Sequence, residues 1–236
     1  MVRSSTGAAR RAPLNRERVL RSAVALADAE GIDELSMRRL AQELGVVPMA
    51  LYKHVAHKEE LLDGMVDVVV GEIERPDEDD WKPAVRERIL AARRALLRHP
   101  WARRVLETRT APTPTVLAHT DAMIAALRRG GLSVDLTHHV MHALGSRVLG
   151  FSQELFVDDH AAAPDPATRA ALLQRLGETY PHVAEIARRA AHDEPSTLGP
   201  GCDDQFEFEF SLDLLLDGVE RLHRNRWTPG QAAPGR

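Results

Sequence analysis

Residues 31–62 read GIDELSMRRLAQELGVVPMALYKHVAHKEELL, and the caps and apolar spacing in this stretch decide the fold of the N-terminal region. Ser36 is a good N-cap, its hydroxyl placed to accept a backbone N–H from the first turn, and Met37, Leu40, Ala41 and Leu44 follow at helical spacing. A short helix therefore starts at Met37. Gly45 stands where a helix end needs a left-handed residue, and Pro48 suits the first position of a second helix, about two turns long, carrying Leu51, Tyr52 and Val55. Two short helices across a tight turn make a helix-turn-helix. The second helix offers Met49, Tyr52, Lys53 and His54 outward, a surface suited to base edges and phosphates in a major groove.

Working outward, Asn15 caps a helix from Arg16 to Glu30 with Val19, Ala23, Leu26 and Ala27 on one face, and Gly31 ends it. A further helix from about Lys58 to Ile73 repeats Leu61, Leu62, Met65, Val66 and Val69, and RPDEDD at 75–80 breaks the pattern. The expected organisation is a flexible basic tail at 1–14, a DNA-binding domain at 15–74, a larger helical domain at 75–225 and a disordered tail at 226–236. Arg3, Arg10 and Arg11 form either a solvated tail or an arm reaching a minor groove.

The net charge of −4 argues weakly against a nucleic-acid partner until it is divided along the chain. Residues 1–58 carry ten Lys/Arg against six Asp/Glu, which leaves 21 against 29 for the remainder. A basic head on an acidic body is what a DNA reader attached to a non-DNA domain requires. Over 236 residues, 44% hydrophobic content supports a sizeable core, while 4% aromatics with abundant Ala, Leu and Arg favour helix throughout. With no apolar run near the length of a membrane span and no apolar signal core, a cytoplasmic location and no membrane partner are expected. Cys202 is single, which excludes an intrachain disulfide.

Beyond residue 75, helices are expected near 81–98, 101–107, 114–129, 134–157, 167–191 and 204–225, separated by Pro and Gly. Two look built for association. Leu136, Val140, Leu144, Val148, Phe151 and Leu155 form one stripe. In FEFEFSLDLLLDGVERL, Phe206, Phe210 and Leu214 make one row, and Phe208, Leu212, Leu215, Val219 and Leu222 another. The alternation of Phe206, Phe208 and Phe210 with Glu also fits a strand, but LDLLLDGVERL breaks that period and helix is the reading kept. The expected dimer interface is Leu136, Val140, Leu144, Val148, Phe208, Leu212, Leu215, Val219 and Leu222.

Enzymatic signatures are missing: there is no phosphate loop, nucleophile elbow, dinucleotide fingerprint or paired-histidine metalloprotease motif. His138 and His142 stand at i, i+4 with His139 between them, a spacing that suits zinc, but the commoner solvated or interface cluster is the reading kept; no metal or cofactor is expected. Trp101, Met123, Phe151 and Phe156 line an apolar pocket or belong to ordinary core.

Thirteen residues in register, Ser36, Arg38, Leu40, Ala41, Leu44, Gly45, Val46, Leu51, Tyr52, His54, Val55, Lys58 and Leu61, resemble the helix-turn-helix pattern of the TetR family of transcriptional repressors. H-P-W at 99–101, Y-P-H-V-A at 180–184 and F-x-F-x-L-D-L-L-L-D-G at 208–218 resemble its tetracycline-repressor-like C-terminal domain, with less specific motifs. The resemblance implies a homodimer joined by a four-helix bundle, with a small-molecule pocket in each subunit whose ligand favours a state unable to span successive major grooves. It implies DNA contacts from Ser36, Met37, Arg38, Pro48, Met49, Ala50, Tyr52, Lys53, His54 and Lys58, with Arg38 on guanine or phosphate and Lys58 on the backbone. Pro48, Met49 and Ala50 replace the Gln, Pro and Thr of the tetracycline repressor, so the operator should differ. With Thr108-Arg109 aligned, the position of that repressor's magnesium-ligating His falls at Val105, although Glu154 keeps a carboxylate.

The expected protein is all-α: a three-helix DNA-binding head and a larger helical domain for ligand binding and dimerisation. It is expected to repress from a palindromic operator of double-stranded DNA as a homodimer, released by a small apolar or amphipathic effector at a pocket including Trp101, Val105, Met123, Phe151, Glu154 and Phe156. The alternatives are a ligand-independent or activating regulator and, in a different class, a helical metal or cofactor carrier.

Overall fold

A computed structural model describes residues 13–74, 76, 78–150, 165–189, 195–196, 199–200 and 204–231. The fold is all-α: α1 (Arg16–Glu30), α2 (Met37–Leu44), α3 (Pro48–Leu51), α4 (Lys58–Gly71), α5 (Trp81–Arg98), α6 (Pro100–Thr108), α7 (Pro114–Arg129), α8 (Val134–Gly150), α9 (Pro166–Thr179), α10 (Pro181–Arg189) and α11 (Asp204–Arg224). Pro195–Ser196 and Gly199–Pro200 pair as a two-residue antiparallel ladder. Among the described residues no helix is long and apolar enough to cross a membrane.

The chain divides into two compact units, one up to Ala126 and one from Leu127. In the first, α1 packs on α2, α4 and α6, and α4 on α5 and α6. Val19, Ala23 and Leu26 of α1 meet Leu40 and Leu44 of α2, Leu51 and Val55, and Leu61, Met65 and Val69 of α4 in one core. That core continues into Ala95, Trp101, Ala102 and Val105, so packing of the first unit runs on past residue 75. Gly64 lets α1 and α4 approach closely, since a Cβ there would meet Leu20 Cδ2 at 2.5 Å. In the second unit α8 packs on α11, and α9 on α10.

The helix expected over 167–191 is two helices. Tyr180 takes φ −131°, ψ 69°, because the residue before Pro181 is barred from helical geometry, and Pro181 restarts the chain as α10. His99 before Pro100 takes the near-identical φ −126°, ψ 71° and separates α5 from α6.

Candidate DNA-reading surface and regulatory site

The two turns of the reading motif are made by the residues the sequence nominated. Ser36 Oγ accepts the Arg39 N–H at 3.1 Å. Gly45 is left-handed at φ 67°, ψ 38° and its N–H reaches the Gln42 carbonyl, while the Val46 N–H reaches Ala41 at 2.9 Å. This pair of bonds satisfies the last carbonyls of α2 and turns the chain toward α3.

The second helix is shorter than the two turns expected. α3 spans Pro48–Leu51, and the N–H groups of His54 (2.8 Å) and Val55 (3.0 Å) then converge on the Leu51 carbonyl. A shared acceptor tightens the coil and stops the regular ladder, yet it brings both Leu51 and Val55 into the core at 0% and 1% exposure. Met49 is thereby left 72% exposed and Tyr52 45%. Pro48, Lys53 and Lys58 are also exposed, while Ala50 and His54 are half-buried. Val47, 67% exposed just before α3, joins this face and was not anticipated; a β-branched apolar residue in a turn gave no periodic signal. Ser36 serves as a cap and Met37 packs against the core, so both hold the surface in place.

Two adjacent arginines have opposite fates. Arg39 is clamped by Glu30 (Nε at 3.1 Å, with a second, short bond) and by Glu43 at 3.1 Å; these hydrogen bonds, that to Glu30 foremost, raise its pKa. Arg38 is exposed and has no side-chain partner among the described residues. The free guanidinium is the one the motif assigned to DNA.

Lys58 opens α4 behind a cap that the sequence did not announce. His57 Nδ1 accepts the Glu60 N–H at 3.1 Å, and Glu60 accepts the Ala56 N–H at 2.7 Å in return. That backbone bond chiefly, with Arg16 at 3.4 Å, holds the Glu60 carboxyl below its ordinary range. At the other end of α4, His99 lies between two carboxylates: Nδ1 is 2.8 Å from Asp28 and Nε2 3.2 Å from Glu72. Trp101 Nε1 donates to the same Asp28 oxygen at 2.7 Å, and Arg98 donates to Glu72 at 2.8 Å. Burial pushes the Glu72 carboxyl up, but the bonds from Arg98 and His99 outweigh it, and the net shift is downward. The H-P-W motif thus ties α1 and the end of α4 to the α5–α6 corner.

The expected pocket is assembled differently. Trp101 and Val105 are closed into the core shared with α1 and α4, because α6 turns them inward there, rather than lining an open cavity. Met123 is buried on α7, and Phe151, Glu154 and Phe156 lie outside the described residues. An open cleft of about 220 Å³ is bounded instead by Val66, Leu106, Arg109, Thr113 and Val116. Beside it Arg109 donates to Asp63 at 3.1 Å and Thr113 to Asp67, so the α6–α7 connection is fastened to α4. Arg88, 8% exposed, is a buried cation on the inner row of α5. His119 on α7 has a lowered pKa, first from burial and then from the Arg88 charge.

In the second unit, Leu136, Val140 and Leu144 are buried and Val148 is half-buried. Phe208, Leu212 and Val219, expected on the partner surface, are covered by their own chain together with Leu216, which belongs to neither of the two rows. A residue closed within its own unit offers little area to a second copy. Leu215 remains half-buried and Leu222 is 36% exposed; the open row is Phe206, Phe210 and Leu214, with the two Phe rings stacked at 6.5 Å. A groove of about 620 Å³ runs between α8 and α11 past Val140, Leu214, Leu215 and Leu222.

The same architecture recurs in known proteins. The HTH-type transcriptional repressor DrrR1 of Streptomyces coeruleorubidus is 30% identical over 233 residues, covering 94% of this chain and 82% of that protein. The tetracycline repressor protein class C of Escherichia coli is 27% identical, covering 89% and 92%. The crystal structure of the TetR family protein ActR from Streptomyces coelicolor in complex with actinorhodin superposes with a TM-score of 0.66 at 28% identity, covering 89% and 98%. Residues 19–65 match the family described as bacterial regulatory proteins, tetR family, and residues 75–223 match the tetracyclin repressor-like C-terminal domain. The capped helix-turn-helix with its open arginine and the helical region that follows it in the chain are therefore those of a DNA-binding transcriptional regulator, not an enzyme, and this chain belongs to the tetR family.

Proposed function

We propose that the chain represses transcription as a homodimer on a two-fold symmetric operator and is released by a small apolar or amphipathic molecule. The observation that carries this reading is the division of labour at Arg38 and Arg39: one guanidinium is consumed by Glu30 and Glu43, and its neighbour is left open, as are Met49, Tyr52, Lys53 and Lys58. An open guanidinium bonds O6 and N7 of guanine together, while the lysines meet phosphates. Release is supported by the fastening of the α6–α7 connection to Asp63 and Asp67 of α4, since a molecule entering the neighbouring cleft would displace the helix that begins at Lys58. That ActR, 28% identical, was solved with actinorhodin supports a small-molecule effector. Val105 is a buried aliphatic with no lone pair, so magnesium–tetracycline is not the expected effector.

The test is a mobility-shift assay with DNA upstream of the gene and of its neighbours, repeated with a panel of amphipathic compounds and with tetracycline plus magnesium. The expected result is a discrete shift reversed by a member of the panel and not by tetracycline. A shift that no compound reverses overturns the effector reading; no shift on any upstream DNA overturns the operator reading.

A further inference from the structure

We propose that His138 and His142 form a binding site for a divalent transition-metal ion on the outer face of α8. The two residues are one turn apart, so their side chains leave the helix on the same side. The buried row of α8 is Leu136, Val140 and Leu144, and both histidines lie on the opposite face, exposed. Their ring centroids are 4.7 Å apart with planes at 73°. Two imidazoles bound to one zinc ion place their nitrogens at about 2.0–2.1 Å, their centroids at roughly 3.2 Å from the metal, and hence about 4.5–5.2 Å from each other for angles from square to tetrahedral. The observed separation falls in that interval, so the backbone already holds the two rings at the spacing a shared ion requires.

The pair is also braced. His139 packs edge-on against His138 at 5.2 Å and is itself held against Trp227 at 5.4 Å, which restricts the ring that must present its nitrogen. Asp135, one turn earlier, adds negative charge to the same face of the helix. Among the described residues no group of three or more His, Cys, Asp or Glu side chains converges on one ion, so the site is a two-imidazole site whose remaining positions are open. Imidazole donors select zinc, nickel or copper over magnesium and calcium. A bound ion would staple one turn of the α8 helix.

The experiment is calorimetric titration of the tag-free, full-length chain with zinc chloride and, separately, nickel chloride, with His182→Ala, exposed on α10, as the control. The expected result is one ion per chain in the micromolar range, a loss of at least about tenfold for either His138→Ala or His142→Ala, comparable to or beyond removal of an outer-shell partner, and no change for the control. Circular dichroism confirms that the variants, altered at exposed positions, remain folded. Binding no tighter than millimolar, or affinity retained when both histidines are replaced, would overturn the site. Operator binding is assayed in metal-free buffer, so failure here leaves the regulator reading intact.

Discussion

The turn around α3 and the long helix α11 both leave large apolar side chains in water, and the charges beside them differ. Val47, Met49 and Tyr52 stand open with Lys53 beside them in the chain and with Arg38 and Lys58 exposed on the flanking helices α2 and α4, whereas Phe206, Phe210 and Leu214 stand open on a helix that also carries Glu207, Glu209, Asp213 and Asp217. An apolar patch with cations on the flanking segments suits a polyanion whose base edges and thymine methyls must be read. The same patch flanked by carboxylates is repelled by DNA, and its apolar area gains from being covered by another apolar surface. Neighbouring charge, more than exposure, distinguishes the two patches: under the proposed function the cationic one reads DNA and the acidic one meets a second copy.

The strongest way to break that comparison is at α11. Replacing Phe210 and Leu214 together by Asp should convert a dimer to monomer in light scattering and weaken operator binding by about 10²–10⁴-fold, the loss expected when two linked half-site contacts become one. A wild-type chain that is monomeric at micromolar concentration would show that the acidic apolar row serves something else.

At the reading surface the contrast sharpens between neighbours. Arg38→Ala should cost on the order of 1–3 kcal/mol per half-site and relax preference at one base pair. Arg39→Ala, which cuts the tie between α2 and Glu30, should lower the melting temperature and leave the consensus alone. If selection from randomised operators returns one consensus for wild type and Arg38→Ala, Arg38 is a backbone clamp and base reading belongs to Met49, Tyr52 and Lys53.

A smaller effect is expected at Lys58, whose replacement by Ala should weaken all sequences alike and flatten the salt dependence by roughly one counterion per subunit. Sequence-dependent loss would move Lys58 from the phosphates to the bases.

The smallest effect tests the scaffold under that lysine. Glu60 and Glu72 are both held below the ordinary carboxylate value of 4.5, so the stability they lend is fully present above it and is lost as pH falls through their folded values. Glu60→Gln should therefore melt lower than wild type at neutral pH and show a shallower decline on acidification. Parallel melting curves for the two proteins from pH 7 to 3.5 would remove Glu60 from the acid response.

Local signals carried most of the first unit. Asn15, Ser36, Gly45 and Pro48 each act within a few residues of backbone, and all four do what their chemistry demanded. His57 as a cap was not legible because imidazole is a rare capping group and the bond depends on which ring nitrogen faces Glu60. The break at Tyr180 is legible in its Pro181, but the apolar periodicity that continues on both sides of the proline masks it.

By itself the sequence determined the helix-turn-helix, the all-α class and the polarity of each face, because caps, turn residues and 3.6-residue spacing act over one or two turns of chain. Tertiary structure decided which of two arginines is free, that Trp101 and Val105 close the core against α1 and α4, and which row of α11 stays open. Those outcomes depend on partners that are 9 to 73 residues away, as with Glu30 for Arg39 and Asp28 for Trp101, and on which apolar row the facing helix can cover. Periodicity marks a helix as two-faced; the neighbour it packs against selects the face that is spent inside and the one left to act.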